Sequence, residues 1–181
     1  EVESPQLAAR LRDVPGVVEA VIVADAVDKL DPVFDLGVCV SVELLRRGIH
    51  VDYLDLYASD VEQPSSGFLA TLPVRTIDSA DPERREFWKL GPVHRAPIGD
   101  YRVVLHRTDP PVDERFIRYA KHFETAPRSV LQINRPPATY QLSEHTVHLR
   151  YPEYAAPTVV ASSPPSLVTA VRAQPGEAVV K

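Results

Sequence analysis

Val17-Val18-Glu19-Ala20-Val21-Ile22-Val23-Ala24 is an apolar run broken only by Glu19 and dominated by β-branched side chains. A run of this length and composition predicts a strand buried on both faces, central in a parallel sheet. It ends at Asp25. Residues 25–35 are polar and contain Pro32, which predicts a loop. Residues 36–47 place apolar side chains at Leu36, Val40, Leu44 and Leu45, the spacing of a helix, and Gly48 stops it. Residues 49–56 (IHVDYLDL) form the next strand. Strand, loop, helix and strand make a βαβ unit, whose right-handed crossover requires the two strands to be parallel. The fold class expected is therefore α/β, an open parallel sheet flanked by helices.

Working outward, Ser4 caps and Pro5 opens a short helix over residues 6–12, ended by Pro15-Gly16. On the other side, residues 62–67 (EQPSSG) read as a turn. Residues 73–77 and 85–90 are short β-like segments that suit a hairpin at one edge. Residues 91–99 contain two prolines and read as irregular. Residues 101–106 (YRVVLH) form a strand, broken by Asp109-Pro110-Pro111. Residues 113–124 carry Phe116, Ile117, Ala120 and Phe123 at near-helical spacing. Residues 130–133 form a strand, and residues 136–149 a helix opened by Pro136-Pro137. Beyond, residues 152–165 are rich in Pro, Ala and Ser, with a strand over 158–161. Ser162 or Ser163 with Pro164 caps a helix over 166–173, and residues 177–181 begin another strand.

The bulk numbers exclude several classes. The chain has 181 residues, 44% hydrophobic, enough for one sizeable core and the start of a second domain. Lys and Arg total 20 against 25 Asp and Glu, a net charge of −5, with no basic run. That balance speaks against a nucleic-acid partner. No apolar stretch approaches the roughly 18 residues of a membrane span. The first residues are acidic and polar, unlike a secretory leader, so a cytoplasmic protein is expected. The single cysteine, Cys39, lies among Val38, Val40 and Val42 and reads as a buried structural thiol. The chain has no Met at all, so either a fragment or a sequence with some residues unrecorded is expected.

Polar residues at strand ends are the candidate chemistry, because ligands in open α/β sheets sit outside the carboxyl ends of the strands. Asp25 ends the first strand and can meet an amine or a metal, or simply solvate the loop. Arg107 ends the strand YRVVLH and can grip a carboxylate or phosphate with a bidentate fork. Alternatively it pairs with Asp109 or Asp113. Asn134 follows the strand at 130–133, where it can cap the next helix or touch a ligand. Lys181 ends GEAVVK, where a strand lysine can present an ammonium to nucleotide phosphates. The six histidines show no metal-ligand spacing. His145 and His148 could share a helical face but lack a third ligand, so no metal site is expected among these residues. No glycine-rich phosphate loop is present.

Three segments together resemble the bacterial glutathione synthetase family. One is Val21-Ile22-Val23-Ala24-Asp25 with Glu43-Leu44-Leu45-Arg46-Arg47-Gly48. The second, Val103-Val104-Leu105-His106-Arg107-Thr108-Asp109-Pro110-Pro111-Val112-Asp113-Glu114-Arg115-Phe116-Ile117, is similar to that family's strand followed by Arg-Lys-Asp-Pro-Pro and then Phe-Asp. The third, Ile133-Asn134-Arg135-Pro136-Pro137, is similar to its Val-Asn-Lys/Arg-Pro. The resemblance implies an N-terminal extension helix (1–16), a preATP-grasp substrate domain (17–154) and the incomplete start of an ATP-grasp domain (155–181).

Such enzymes use ATP and Mg²⁺ to activate a carboxylate as an acyl phosphate, which an amine attacks. The family's substrates are γ-glutamylcysteine and glycine. The resemblance implies a small-molecule or short-peptide substrate, contacted by Asp25, Arg107 and Asn134, and a homo-oligomer. It places ATP against Lys181, with the Mg²⁺ ligands beyond residue 181. Where the family has Asn-Glu-Lys, this chain has Ser143-Glu144-His145. His145 thus takes the place of an ATP-binding lysine, which a neutral imidazole replaces only in part. Two other readings stay open: a related ATP-grasp ligase forming another amide, and a non-catalytic binding module derived from the domain.

Overall fold

The computed structural model describes residues 19–57, 61, 70–109, 112–142 and 147–179. The expected helix over 6–12 and the turn over 62–67 lie outside these residues. The chain divides after Tyr140 into two compact units.

The first unit is built on a six-stranded sheet, and its central strand is the apolar run that opened the sequence. β1 (Glu19–Ala24) has β2 (His50–Asp55) on one side and β5 (Val103–His106) on the other, both parallel to it. β6 (Leu131–Ile133) extends the parallel set beyond β5. β3 (Thr71–Ala80) and β4 (Trp88–Pro97) form an antiparallel hairpin beside β2, giving the order β4-β3-β2-β1-β5-β6. The sheet is thus mixed, with the hairpin at one edge.

Alternation along β1 sorts the core into two layers. Ala20, Ile22 and Ala24 face Val38 and Leu44 of α1 (Leu36–Arg46), together with Tyr53 and Trp88. Val21 and Val23 face the opposite layer, with Val104 and with Phe116, Ala120 and Phe123 of α2 (Glu114–Glu124). Asp35 caps α1 by accepting the Val38 N–H at 3.1 Å, and Gly48 takes the left-handed conformation (φ 74°) that ends the crossover. α1 is tied to the hairpin through Ser41, whose hydroxyl accepts the Trp88 indole N–H at 2.8 Å. Cys39 corrects an expectation. It is half-buried, with Sγ 3.8 Å from the Val33 carbonyl, because it falls on the flank of α1 between the core positions Val38 and Val40.

The hairpin strands run ten residues each, through the stretch 91–99 read as irregular. Pro97 is tolerated because β4 is the outermost strand, and Pro92 because the register between β3 and β4 shifts where it lies, between the pairs Arg75–Val93 and Ile77–Leu90. Arg75 adds side-chain bonds across the hairpin, donating to the Gly91 carbonyl at 2.8 Å and the Leu90 carbonyl at 3.3 Å.

α2 begins at Asp113, whose carboxylate accepts the Phe116 N–H at 2.9 Å. Asp113→Ala is expected to cost about 1 kcal/mol of stability, the usual worth of a lost cap. A urea melt that leaves the midpoint unchanged would contradict this.

α3 (Pro136–Gln141) is much shorter than the helix expected over 136–149. Tyr140, Leu142, Val147 and Leu149 do not recur on one helical face, so nothing rewards continuing it. Residues 147–149 instead form a 3-10 turn. In the second unit, α4 (Pro164–Ala173) starts as expected at Ser163, which accepts the Ser166 N–H at 3.4 Å. The strand expected over 158–161 is not formed. Val159 and Val160 are more than half exposed, and no strand among the described residues lies beside them to complete a ladder.

Candidate functional site

The carboxyl ends of β1, β2, β5 and β6 bring Asp25, Tyr57, residues 107–109 and Asn134 to one edge of the sheet. The edge is held by specific bonds. The Arg107 N–H donates to the Val23 carbonyl at 2.7 Å and the Leu56 N–H to the Ala24 carbonyl at 3.1 Å, so both neighbours follow β1 to its end. Asp25 Oδ2 then accepts the Asp109 N–H at 2.8 Å, and the Asp25 carbonyl accepts the Tyr53 hydroxyl at 2.6 Å. Asp25 therefore fixes the loop after β5 with one carboxylate oxygen.

Asn134 caps no helix through its side chain among the described contacts. Its amide donates to the His106 carbonyl at 3.2 Å, and its backbone is left-handed (φ 58°), a conformation Asn adopts more readily than most residues. It closes the edge between β5 and β6.

Arg107 forms no ion pair with Asp109 or Asp113. Its Nε is buried with no hydrogen-bond partner among the described residues. It lies by the start of α1: a Cβ added to Gly37 would stand in ordinary contact with the Arg107 Cβ at 3.6 Å but only 2.9 Å from Asp35 Oδ1, so glycine leaves room for the capping carboxylate. Burial raises the Asp35 carboxyl pKa, opposed by the Val38 and Gly37 N–H groups and by the Arg107 charge.

Beside this edge opens a cleft of about 350 Å³ lined by Asp25, Lys29, Tyr57, Asp109, Asp113 and Arg115. Arg115 donates to the Tyr57 carbonyl at 3.3 Å, and its guanidinium carbon stands 4.9 Å from the Tyr57 ring centre. Burial pushes the Tyr57 phenol up, helped by Asp113 and Asp25, so it stays protonated. None of the ion pairs among the described residues joins Lys29 or Arg115 to the three aspartates of the cleft.

Positive and negative groups that share a cleft without neutralising one another suit a ligand carrying both signs of charge. They do not form a nucleophile–base pair, and no group of three or more His, Cys, Asp or Glu among the described residues could hold a metal ion.

Of the residues singled out in the sequence, Asp25 lines this cleft. Arg107 and Asn134 share its sheet edge without lining it. His145 and Lys181 lie outside the described residues. Sequence reading assigned no role to Lys29, Tyr57 or Arg115. Tyr57 had a usable signal, since it follows β2 as Asp25 follows β1. Arg115 had none, because its role depends on where α2 docks. No helix among the described residues is long and apolar enough to cross a membrane.

The model of the prokaryotic glutathione synthetase N-terminal domain matches residues 18–139. Among curated proteins, the chain is similar to the glutathione synthetase of Parasynechococcus marenigrum (strain WH8102), 36% identical over 149 residues, covering 81% of this chain and 40% of that protein. It is 27% identical over 165 residues to the glutathione synthetase of Xanthomonas campestris pv. campestris, covering 90% of this chain and 50% of that one. The glutathione synthetase of Prochlorococcus marinus (strain MIT 9313) is 38% identical over 98 residues, covering 52% of this chain and 32% of that protein. The chain thus spans half or less of the length of these relatives.

Proposed function

The chain belongs to the family of the prokaryotic glutathione synthetase N-terminal domain, and from this premise we propose that it is the substrate-side part of an ATP-dependent carboxylate–amine ligase joining γ-glutamylcysteine to glycine. In this reading residues 17–154 are the preATP-grasp domain and residues 155–181 the first part of an ATP-grasp domain.

The observation that carries the reading is the cleft beside β1, within the matched residues, where Arg115 and Lys29 share the lining with Asp25, Asp109 and Asp113 and form no ion pair with them among the described residues. γ-Glutamylcysteine carries one ammonium and two carboxylates. The aspartates suit its ammonium, and Arg115, already oriented by Tyr57, suits a carboxylate in bidentate fashion. Holding the peptide in one orientation lets its reacting carboxylate be presented to a second site.

The described residues do not fit ATP or Mg²⁺. They include no metal-ligating cluster, the sequence has no glycine-rich phosphate loop, and both Lys181 and His145 lie outside them. The nucleotide chemistry is therefore assigned to no described residue. The role of this chain's own side chains is to bind and orient the acyl substrate.

Two measurements separate the parts of this reading. The full-length protein is expected to release ADP only when γ-glutamylcysteine and glycine are both present; release that needs a different amine or acid would point to another amide ligase. Arg115→Ala is expected to raise KM for γ-glutamylcysteine on the order of tenfold with little change in kcat, the signature of lost uniform binding. An unchanged KM would remove the cleft from the substrate site while leaving the ligase reading intact.

A further inference from the structure

A second depression lies on the other side of Arg115. One wall is a stripe of α2: Arg115, Arg118 and His122 follow at i, i+3 and i+7 and so share a helix face. Leu56 and Tyr57 form the opposite wall, Tyr119 contributes from α2 between them, and the volume is about 260 Å³. The chain as a whole carries a net charge of −5. Yet no carboxylate is found among the described residues that line this groove.

Each cationic member is poised differently. Arg115 is held in place by the Tyr57 carbonyl and ring, and among the described residues no other hydrogen bond engages its fork. Arg118 pairs with Glu114 at 3.2 Å, an exposed contact between neighbouring helix turns that is given up at small cost. His122 buries its Nδ1 with no partner among the described residues. Burial pushes its imidazole below the usual range, so the ring is neutral at pH 7 and retains both a donor and an acceptor. Two guanidinium groups and an imidazole thus follow one helix face along a polar groove with no carboxylate among its described lining residues, an arrangement that suits an anion.

We propose that the groove between Arg115, Arg118 and His122 binds a tetrahedral phosphate-type dianion, either free phosphate or the phosphate of a small monoester. Two arginine forks match its oxygens, and the imidazole completes the shell. The site adjoins the aspartate-lined cleft through Arg115 and Tyr57 but reaches away from it along α2. Its existence does not depend on the ligase reading.

The test is titration of the full chain with inorganic phosphate and, separately, with glycerol 2-phosphate, followed by calorimetry and by the ring resonances of His122. Saturable binding that moves those resonances is expected. Arg118→Ala and His122→Gln should each weaken it on the order of tenfold, and Arg118→Lys by less, because charge survives while the fork is lost. Neither Arg118 nor His122 lines the aspartate-lined cleft, so affinity for γ-glutamylcysteine should stay as in the parent chain. Tighter binding of the ester would identify a phosphorylated small molecule as the ligand; equal binding would mean that the free anion suffices. No saturable binding of either probe, or binding undiminished by Arg118→Ala, would overturn the proposal.

Discussion

Asp52→Ala is expected to destabilise the first unit by about 1–3 kcal/mol, the range for leaving a buried hydrogen-bond partner unsatisfied. Asp52 is 2% exposed, on β2. Its Oδ2 accepts the Tyr101 hydroxyl at 2.7 Å and lies 3.4 Å from His94 Nε2. Its Oδ1 accepts the Thr76 hydroxyl at 2.9 Å and lies 3.1 Å from His50 Nε2. Alanine would strand a Tyr101 hydroxyl that is itself sealed from water, and an unpaired buried donor costs more than the bond was worth.

The position of Asp52 in the sheet adds to the effect. β2 and β3 are paired only at Asp52 with Thr76 and at Tyr53 with Arg75. The Asp52–Thr76 bond therefore reinforces one of the two places where the edge hairpin joins the central strands. Asp52→Asn keeps the shape but turns one acceptor into a donor, so an intermediate loss is expected. The chain has one tryptophan, Trp88 on β4, buried against Tyr53. Its fluorescence in a urea melt reports on the attachment of the hairpin. A fall in midpoint with an unchanged slope is the expected result. A loss under 1 kcal/mol for Asp52→Ala would show that water replaces the carboxylate.

How legible these features were in the sequence depended on how far their causes reach along the chain. β1, α1 and β2 have local causes: a β-branched run, an apolar stripe of period 3.6 and a glycine stop. The reading located each of them within two residues. α2 was equally plain, since its Asp113 cap and its face of Phe116, Ala120 and Phe123 lie in one continuous stretch. β4 was cut short because Pro92 and Pro97 look like breakers until the strand is known to be outermost and its register to shift at Pro92, and neither sheet order nor register is a local property. α3 was overextended because Pro136-Pro137 announce a start while nothing nearby announces the stop.

The site divides the same way. Asp25 and Arg107 follow strands, so their placement at the carboxyl edge could be inferred from topology alone. Lys29, Tyr57 and Arg115 meet only because a polar loop, a strand end and a docked helix converge. Their joint role required coordinates. Asp52 was invisible for a similar reason: its partners Thr76, His94 and Tyr101 come from three later segments.

His106 leads to the second large effect, a loss of about 3 kcal/mol of stability between pH 6.5 and pH 4. The ring is 4% exposed at the end of β5, with its centre 4.8 Å from that of Phe123. Gln132 fixes the tautomer. Its amide nitrogen donates to the Phe123 carbonyl at 2.9 Å, which leaves Oε1, at 3.2 Å, to accept from His106 Nε2. Nε2 therefore carries the proton, and Nδ1, 3.2 Å from the Tyr119 oxygen, accepts the Tyr119 hydroxyl. Burial holds that phenol well above its usual range, so it remains a donor.

A second proton on the ring would have to sit on Nδ1, where a donor already points. Burial opposes the charge and places the His106 pKa at about 4, with the Gln132 bond only partly offsetting the shift. In the unfolded chain the same imidazole titrates near 6.5. Between these values the unfolded state binds the proton and the folded state does not. The stabilisation is thus complete above pH 6.5, shrinks as pH falls, and is gone below about 4. Urea melts of the parent and of His106→Gln across this range provide the measurement. Glutamine does not titrate, so the carboxylates common to both proteins cancel and the parent should lose about 3 kcal/mol more than the variant. Curves that run parallel from pH 7 to pH 4 would mean that the ring takes up its proton in the fold as readily as in the unfolded chain. The consequence reaches the site, because the His106 carbonyl accepts the Asn134 amide and Arg107 follows it directly. Only near pH 4, where the folded ring itself takes up a proton, does charge enter this corner and strain the edge that carries Arg107 and Asp109.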